Sequence, residues 1–410
     1  MQLWATGALS AKAPLPGLSL AAQPAKAATM PTADAPVATP VMTAAPAVKP
    51  WIAAIEAYVP GKAKLAGVAE PVKLSSNETP LGPSPRAVAA MAATAGDAHR
   101  YPDGGSTALR AAIAAHHGLE VERIVCGTGS DELLKLLAQA YASAGDEVLY
   151  VRHGFMVYPI AARCAGAMPV AAPDRDYTTD VDALLAAVTG RTRVVFVANP
   201  NNPTGTMIGG SEVRRLHAGL RSDILLVLDG AYAEYIDDAD YEDGFAMARE
   251  FANVVTTRTF SKIYGLAAER IGWAYGSPAV IDVLNKIRAP FNVPAAGGAG
   301  AVAALADRDW TAAAKAHNLT WRTWLAGEIA ALGNAGLRAV PSAANFILVT
   351  FPEDGAVTAE RANAALMADG ILVRHLPGQG LPHALRISIG TEAETRAVAA
   401  SLRRFVEANS

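Results

Sequence analysis

RIVCGTGSDELLKLLAQAYA, residues 123–142, joins a short β-branched run to an amphipathic stretch through a glycine-rich turn. The same unit then recurs down the chain. DEVLYV (146–151) precedes VYPIAARCAGA (157–167), DVDALLAAV (180–188) precedes RVVFVA (193–198), and SEVRRLHAGL (211–220) precedes ILLVLD (224–229). Continuous apolar strands separated by helices predict a mostly parallel sheet covered on both faces, an α/β fold. ANVVTTRTF (252–260) and RIGWAYG (270–276) extend the series. A proline and glycine interruption is expected over 289–300. Beyond it the pattern predicts a long helix through Asn318 and Trp321, a strand NFILVTF, a helix TAERANAALMADG, strands ILVRHL and ALRISIG, and a closing helix from Glu392.

The chain of 410 residues can bury a sizeable core, and its net charge of −3 gives no reason to expect nucleic acid as a partner. A small molecule is the better expectation. Residues 1–49 are dominated by Ala and Pro, which cannot build a core and reads as a disordered segment. Prolines interrupt every candidate signal-peptide core there, so no secretory signal is expected, and Met30 and Met42 leave a later start open. With no apolar run of membrane-spanning length, no membrane partner is expected and the cytoplasm is the expected compartment. Cys126 and Cys164 lack metal or redox spacing and read as buried or half-buried thiols. The expected organisation is 50–85 as the N-terminal part of a small α+β domain, 86–294 as a large domain, and 295–410 as the rest of the small one.

In open α/β sheets ligands bind beyond the carboxyl ends of the strands, and four polar motifs sit there. GTGSDE follows RIVC; its glycines admit a ligand close to the backbone, and Ser130 reads as a helix N-cap whose amides suit a phosphate, or as an ordinary helix start. NPNNPTG (199–205) reads as a turn that also supplies side-chain amides. Asp229 ends an apolar strand and needs a cationic partner, with Tyr232 three residues on. Lys262 stands among Phe260, Ile263 and Leu266, off any polar face, with Ser261 and Arg270 placed to hold an anion. Together these groups describe pyridoxal 5′-phosphate: a carbonyl for an amine, a ring nitrogen for an acid, a ring hydroxyl for an amide and a phenol, and a phosphate.

The order of these motifs resembles the fold type I aminotransferases of class I/II, and most of all the histidinol-phosphate aminotransferases. The resemblance is carried by KPWIAAIEAYVPGK, KLSSNETPLGPSP, RYPDGGSTALRAAIA, GTGSDELL, NPNNPTG, TFSKIYGLAAERIGW, PSAANFILV and ALRISIGT, over about 49–408. It implies a large pyridoxal-phosphate-binding domain on a seven-stranded-type sheet and a homodimer. It implies that Lys262 condenses with the cofactor aldehyde and shuttles the proton, while Asp229 keeps the ring nitrogen protonated. Asn202 and Tyr232 hold the ring hydroxyl; Ser130, Asp131, Ser261 and Arg270 bind the phosphate; and Phe155 stacks on the ring. Tyr101 reaches the neighbouring subunit's phosphate, Arg386 pairs with an amino-acid carboxylate, and Arg374, Asn345 and Asn77 contact substrate. Two departures fall on substrate-side loops: His153 and Gly154 stand where relatives carry Pro-Thr, and Gly230 stands where a glutamate is common.

The implied reaction is ping-pong amino transfer, with histidinol phosphate and 2-oxoglutarate giving imidazole-acetol phosphate and glutamate. The alternatives are an aromatic amino-acid aminotransferase, a decarboxylase of a phosphorylated amino acid, and the cofactor-sensing half of a transcription regulator. The last needs a DNA-binding module, and the first segment has neither helical period nor basic character.

Overall fold

The apolar runs become strands because their residues feed two cores at once. In β5 (Thr192–Ala198), Val195 and Val197 enter one cluster while Val194, Phe196 and Ala198 enter another on the opposite face. β6 (Leu225–Asp229) alternates likewise, so neither face of the sheet meets solvent. The computed structural model describes residues 46–409. The Ala/Pro-rich segment read over 1–49 therefore lies almost wholly outside the described residues.

The remaining strands, in chain order, are β1 (Val72–Lys73), β2 (Ile124–Thr128), β3 (Glu147–Val151), β4 (Met168–Ala172), β7 (Val254–Thr259), β8 (Ile271–Tyr275), β9 (Arg338–Ala339), β10 (Phe346–Thr350), β11 (Ile371–Leu372), β12 (Arg374–Leu376) and β13 (Leu381–Ser388). A seven-stranded sheet runs β2-β8-β7-β6-β5-β3-β4. It is parallel except for β8, which pairs antiparallel with both β2 and β7. That exception has a consequence for chemistry. The carboxyl ends of β2, β3, β5, β6 and β7 share one edge, and reversed β8 begins there, so Arg270 arrives beside residues that follow the other strands.

A four-stranded antiparallel sheet, β12-β13-β10-β9, packs one face against the helices Arg308–Ala330, Ala359–Ala368 and Glu392–Glu407. Leu385 and Ile387 of β13 enter that core, so the period of two sends Ala384, Arg386 and Ser388 to the other face. β1 pairs in parallel with β11, and Ser388 donates its backbone N–H to the Leu74 carbonyl, which carries residues 75–77 toward the large sheet.

Two local readings need correction. The stretch expected as an interruption over 289–300 ends at Pro294, and a helix runs Ala295–Ala306 through three glycines. These glycines let the helix come close to its neighbours: a Cβ on Gly297 would lie 2.6 Å from Ile271 Cδ1, and one on Gly300 would lie 2.7 Å from Met91 Cγ. Cys126 is buried, but Cys164, in the last turn of the helix Val157–Cys164, is exposed. Among the described residues no helix is long and apolar enough to cross a membrane.

Candidate active site

A cavity of about 280 Å³ opens at the shared strand edge. Each motif reaches it for a local reason. The helix Gly129–Tyr141 starts directly at the end of β2; its N-cap is Thr128, not Ser130, and no Thr128 side-chain bond caps the first turn. Ser130 and Asp131 line the cavity from that uncapped turn, where amide dipoles favour an anion. Gly129 holds φ +76°, and a Cβ there would stand 2.5 Å from Arg270 Nη2. Glycine is thus what lets the guanidinium rest on the helix start. Arg270 itself is left-handed at φ 56°, its Nη1 lies 3.3 Å from Ser261 Oγ and its Nη2 lies 3.5 Å from Asp131 Oδ2. Uncapped amides, a hydroxyl and a guanidinium make this end of the cavity an anion cradle.

Asp229 stands elsewhere in the same cavity. Its carboxylate is buried and accepts from the Tyr158 hydroxyl at 2.9 Å and the Thr257 hydroxyl at 3.1 Å. The cationic partner expected for it is not a protein side chain among these bonds. Desolvation pushes its pKa up to about 6, and the two hydroxyls hold it down against that. Lys262 also lines the cavity, its Nζ 5.8 Å from the centre of the Tyr232 ring. Burial, with the nearby Arg386 charge second, lowers its amine to about 8. A buried acid, a weakened amine and an anion cradle match the nitrogen, aldehyde and phosphate of pyridoxal 5′-phosphate, so the residues present fit that group.

On the wall of the cavity, Tyr232 accepts from Asn77 Nδ2 at 2.9 Å, and burial raises its phenol to about 12. Asn77 is also left-handed, at φ 56°. Arg386 donates from Nη1 to Asn202 Oδ1 at 2.6 Å and from Nη2 to the Ser75 carbonyl at 2.9 Å, joining the small sheet to the NPNNPTG loop. Phe155 completes the lining with a ring.

Three expected residues lie outside this lining. Asn345 is buried and donates to the Asn77 carbonyl at 2.9 Å, so it supports Asn77. Arg374 stands opposite Arg386 in the β12–β13 register and donates to the Val59 carbonyl, which puts it on the Arg386 face of the sheet. Tyr101 is 83% exposed and stacks on Phe291 at 4.7 Å. Sequence reasoning missed Tyr58, Ser75 and Ser76 on the wall and Tyr158 and Thr257 beneath Asp229. The hydroxyls in the apolar runs VYPIAARC and VVTTRT were the available signal for the last two.

His153 and Gly154, the first departure, do not line this cavity. The His153 ring bonds Asp174 Oδ2 at 2.6 Å, while its carbonyl accepts from Asn201 Nδ2 at 2.8 Å and so anchors the neighbouring loop.

The family model described as aminotransferase class I and II matches residues 69–402. The histidinol-phosphate aminotransferase of Sphingopyxis alaskensis is 58% identical over 369 residues, 89% of this chain and 98% of that protein. The enzyme of the same name from Erythrobacter litoralis is 55% identical, over 88% of this chain and 98% of its own length. Among solved structures, the histidinol-phosphate aminotransferase of Sinorhizobium meliloti in complex with pyridoxal-5′-phosphate superposes with a TM-score of 0.81 at 31% identity, covering 90% of this chain and all of that one.

Proposed function

Because the chain belongs to the class I and II aminotransferase family, we propose that it transfers an amino group from histidinol phosphate to 2-oxoglutarate, giving imidazole-acetol phosphate and glutamate. The observation that carries this reading is one cavity that unites a weakened amine, a buried acid, an anion cradle and the Arg386 guanidinium. The relatives' shared name supports the choice of substrate.

Pyridoxal 5′-phosphate, when bound, supplies the aldehyde that takes up the amine and a cationic ring that draws electrons from the substrate Cα. With that group bound, Lys262 would be the amine that meets its aldehyde and the base that would take the proton from the substrate Cα. Asp229, ionised, holds the proton on the ring nitrogen, and its two hydroxyl donors fix the carboxylate's direction. Asn202 and Tyr232 hold the ring hydroxyl, and Phe155 offers a flat face to the ring. Ser130 and Asp131 through their amides, with Ser261 and Arg270, hold the phosphate and so fix the register of all the other contacts.

Two unlike substrates share the rest of the pocket. The Arg386 fork suits the α-carboxylate of glutamate. Histidinol phosphate has no such carboxylate and brings a second phosphate, for which we propose Arg374 as the cation, while Asn77, supported by Asn345, meets substrate from the cavity wall. Exposed Tyr101 belongs to the site of a second copy, so the working unit is a homodimer with composite sites. We place the protein in the cytoplasm. Residues 50–85 with 295–410 carry Arg386 and Arg374 and residues 86–294 the cofactor-binding side chains, although the helix Ala295–Ala306 packs into the core of the latter part.

Single-turnover amino transfer with histidinol phosphate, phenylalanine, tyrosine and glutamate tests this reading. Efficient turnover of histidinol phosphate and glutamate is expected. Phenylalanine or tyrosine processed as well as histidinol phosphate would replace it with an aromatic aminotransferase.

A further inference from the structure

Arg258 is 2% exposed and lies four residues before Lys262, yet the proposed chemistry makes no use of it. It follows Thr257 on β7, so it leaves the opposite face of the sheet from the hydroxyl that bonds Asp229. On that face its guanidinium lies over the Phe245 ring at 4.8 Å. Nη1 donates to Thr256 Oγ1 at 2.9 Å and to the Thr257 carbonyl at 3.3 Å, and Nη2 donates to the Asp243 carbonyl at 2.7 Å. The Thr257 carbonyl also accepts the Gly230 N–H at 3.0 Å. Arg258 is therefore bonded to the same peptide oxygen as the amide that follows Asp229.

Gly230, the second departure from the family pattern, has its explanation here. A Cβ on Gly230 would stand 1.7 Å from Arg258 Nη1. The guanidinium occupies the space of the missing side chain. Its nearest acid is Glu234, 3.8 Å away on the turn after Tyr232, and Glu234 Oε2 is buried without a partner. This is a loose buried pair, and leaving a charge uncompensated in such a place is costly. Desolvation raises Glu234 to about 6, with Arg258 opposing the rise.

We propose that Arg258 is a positioning residue whose buried charge, acting through the sheet, keeps Asp229 ionised, and that Glu234 opposes it. The inference rests on the reading of Asp229 as the acid that meets the cofactor's ring nitrogen. The groups around the two charges are few. Asp229 faces Tyr158, Thr257 and the charge of Asp131, with Tyr232 and Lys262 in the same cavity. Arg258 faces Glu234, Tyr241, Tyr264 and His117, and Lys315 acts on Glu234. Burial holds His117 near 3, so it is neutral through the physiological range and adds no charge to the cluster.

The test is the dissociation constant of pyridoxal 5′-phosphate from the cofactor-free protein, measured by absorbance titration from about pH 5 to 8.5. Wild-type affinity is expected to fall as pH drops through the Asp229 titration near 6. Arg258→Met should move that fall upward; a move of about one pH unit reads as roughly fivefold weaker affinity at the wild-type midpoint and about tenfold well below it. Arg258→Lys keeps the charge and should restore most of the wild-type profile. Glu234→Gln should move the fall downward, by less, because Glu234 is itself only partly charged near pH 6. Shifts of opposite sign support the inference. Shifts of the same sign, or a weakening of affinity that does not depend on pH, would make the pair mere packing and overturn it. If Arg258→Met does not fold, Glu234→Gln decides by its sign alone. Asp229→Asn separates the two levels: a flattened profile upholds its role, and an unchanged one defeats that role and this inference together.

Discussion

Lys262 offers the most direct check on the proposed chemistry, because an amine must be unprotonated to attack an aldehyde. With its pKa lowered from 10.5 to about 8, about one Lys262 amine in ten is neutral at pH 7, against roughly one in three thousand for an unperturbed lysine. Cofactor capture should therefore be about 300-fold faster at pH 7 than a solvated lysine allows. The sign follows from the depressed pKa: the rate rises about tenfold per pH unit up to pH 8 and is flat above it. Mixing cofactor-free protein with pyridoxal 5′-phosphate in a stopped-flow absorbance experiment from about pH 6 to 10.5 measures this, with Lys262→Ala subtracted as background. Burial is the main cause of the shift and the Arg386 charge the second, while Asp131 acts in the opposite sense. Arg386→Ala should thus move the plateau to higher pH, Asp131→Asn should move it to lower pH, and both shifts should be small beside the one due to burial. A rate that keeps climbing through pH 10 would mean a solvated amine and would refute the reasoning.

Gly129→Ala should lower thermal stability by more than about 1 kcal/mol and weaken cofactor binding, since alanine is strained at φ +76° and its Cβ would displace Arg270; calorimetry and cofactor titration read the two effects. Arg374→Ala should impair histidinol phosphate turnover far more than glutamate turnover, whereas Arg386→Ala should damage the glutamate half-reaction at least as much; equal losses in single-turnover assays would defeat the division of labour. Tyr101→Phe should weaken cofactor retention by about 1.5–3 kcal/mol, the worth of one hydrogen bond to a charged group. Sedimentation that finds an active monomer would contradict the composite site behind that expectation.

Much of the site was legible because the fold repeats one unit. A strand followed by a helix has a carboxyl end, and in a parallel sheet all such ends meet. Ser130, Asn202, Asp229 and Lys262 could therefore be gathered from the order of their motifs. The helix Ala295–Ala306 was misread because glycine is a poor helix former in isolation. Contact with Ile271 and Met91 makes glycine the residue that fits there. Ser130 was read as the N-cap because its side chain suits that role, yet the helix begins two residues earlier, at the end of β2. Arg374 and Asn345 were expected at the substrate side; one lies on the Arg386 face and the other behind Asn77.

By itself, then, the sequence determined the alternating strands and helices, the class of sheet, and the residues that leave its carboxyl edge, because hydrophobic period and turn chemistry are local properties. Only the tertiary structure decided what those residues touch. Tyr158 on Asp229, Asn77 on Tyr232 and Arg386 on Asn202 join positions 71, 155 and 184 residues apart, and no local pattern specifies such pairs. The lowered amine of Lys262 and the raised carboxyl of Asp229 belong to the same level, since desolvation is set by everything packed around a group. Gly230 shows the division most plainly. In the sequence it is a missing glutamate, and in three dimensions it is the space that a buried guanidinium fills, because volume is allotted by the whole fold.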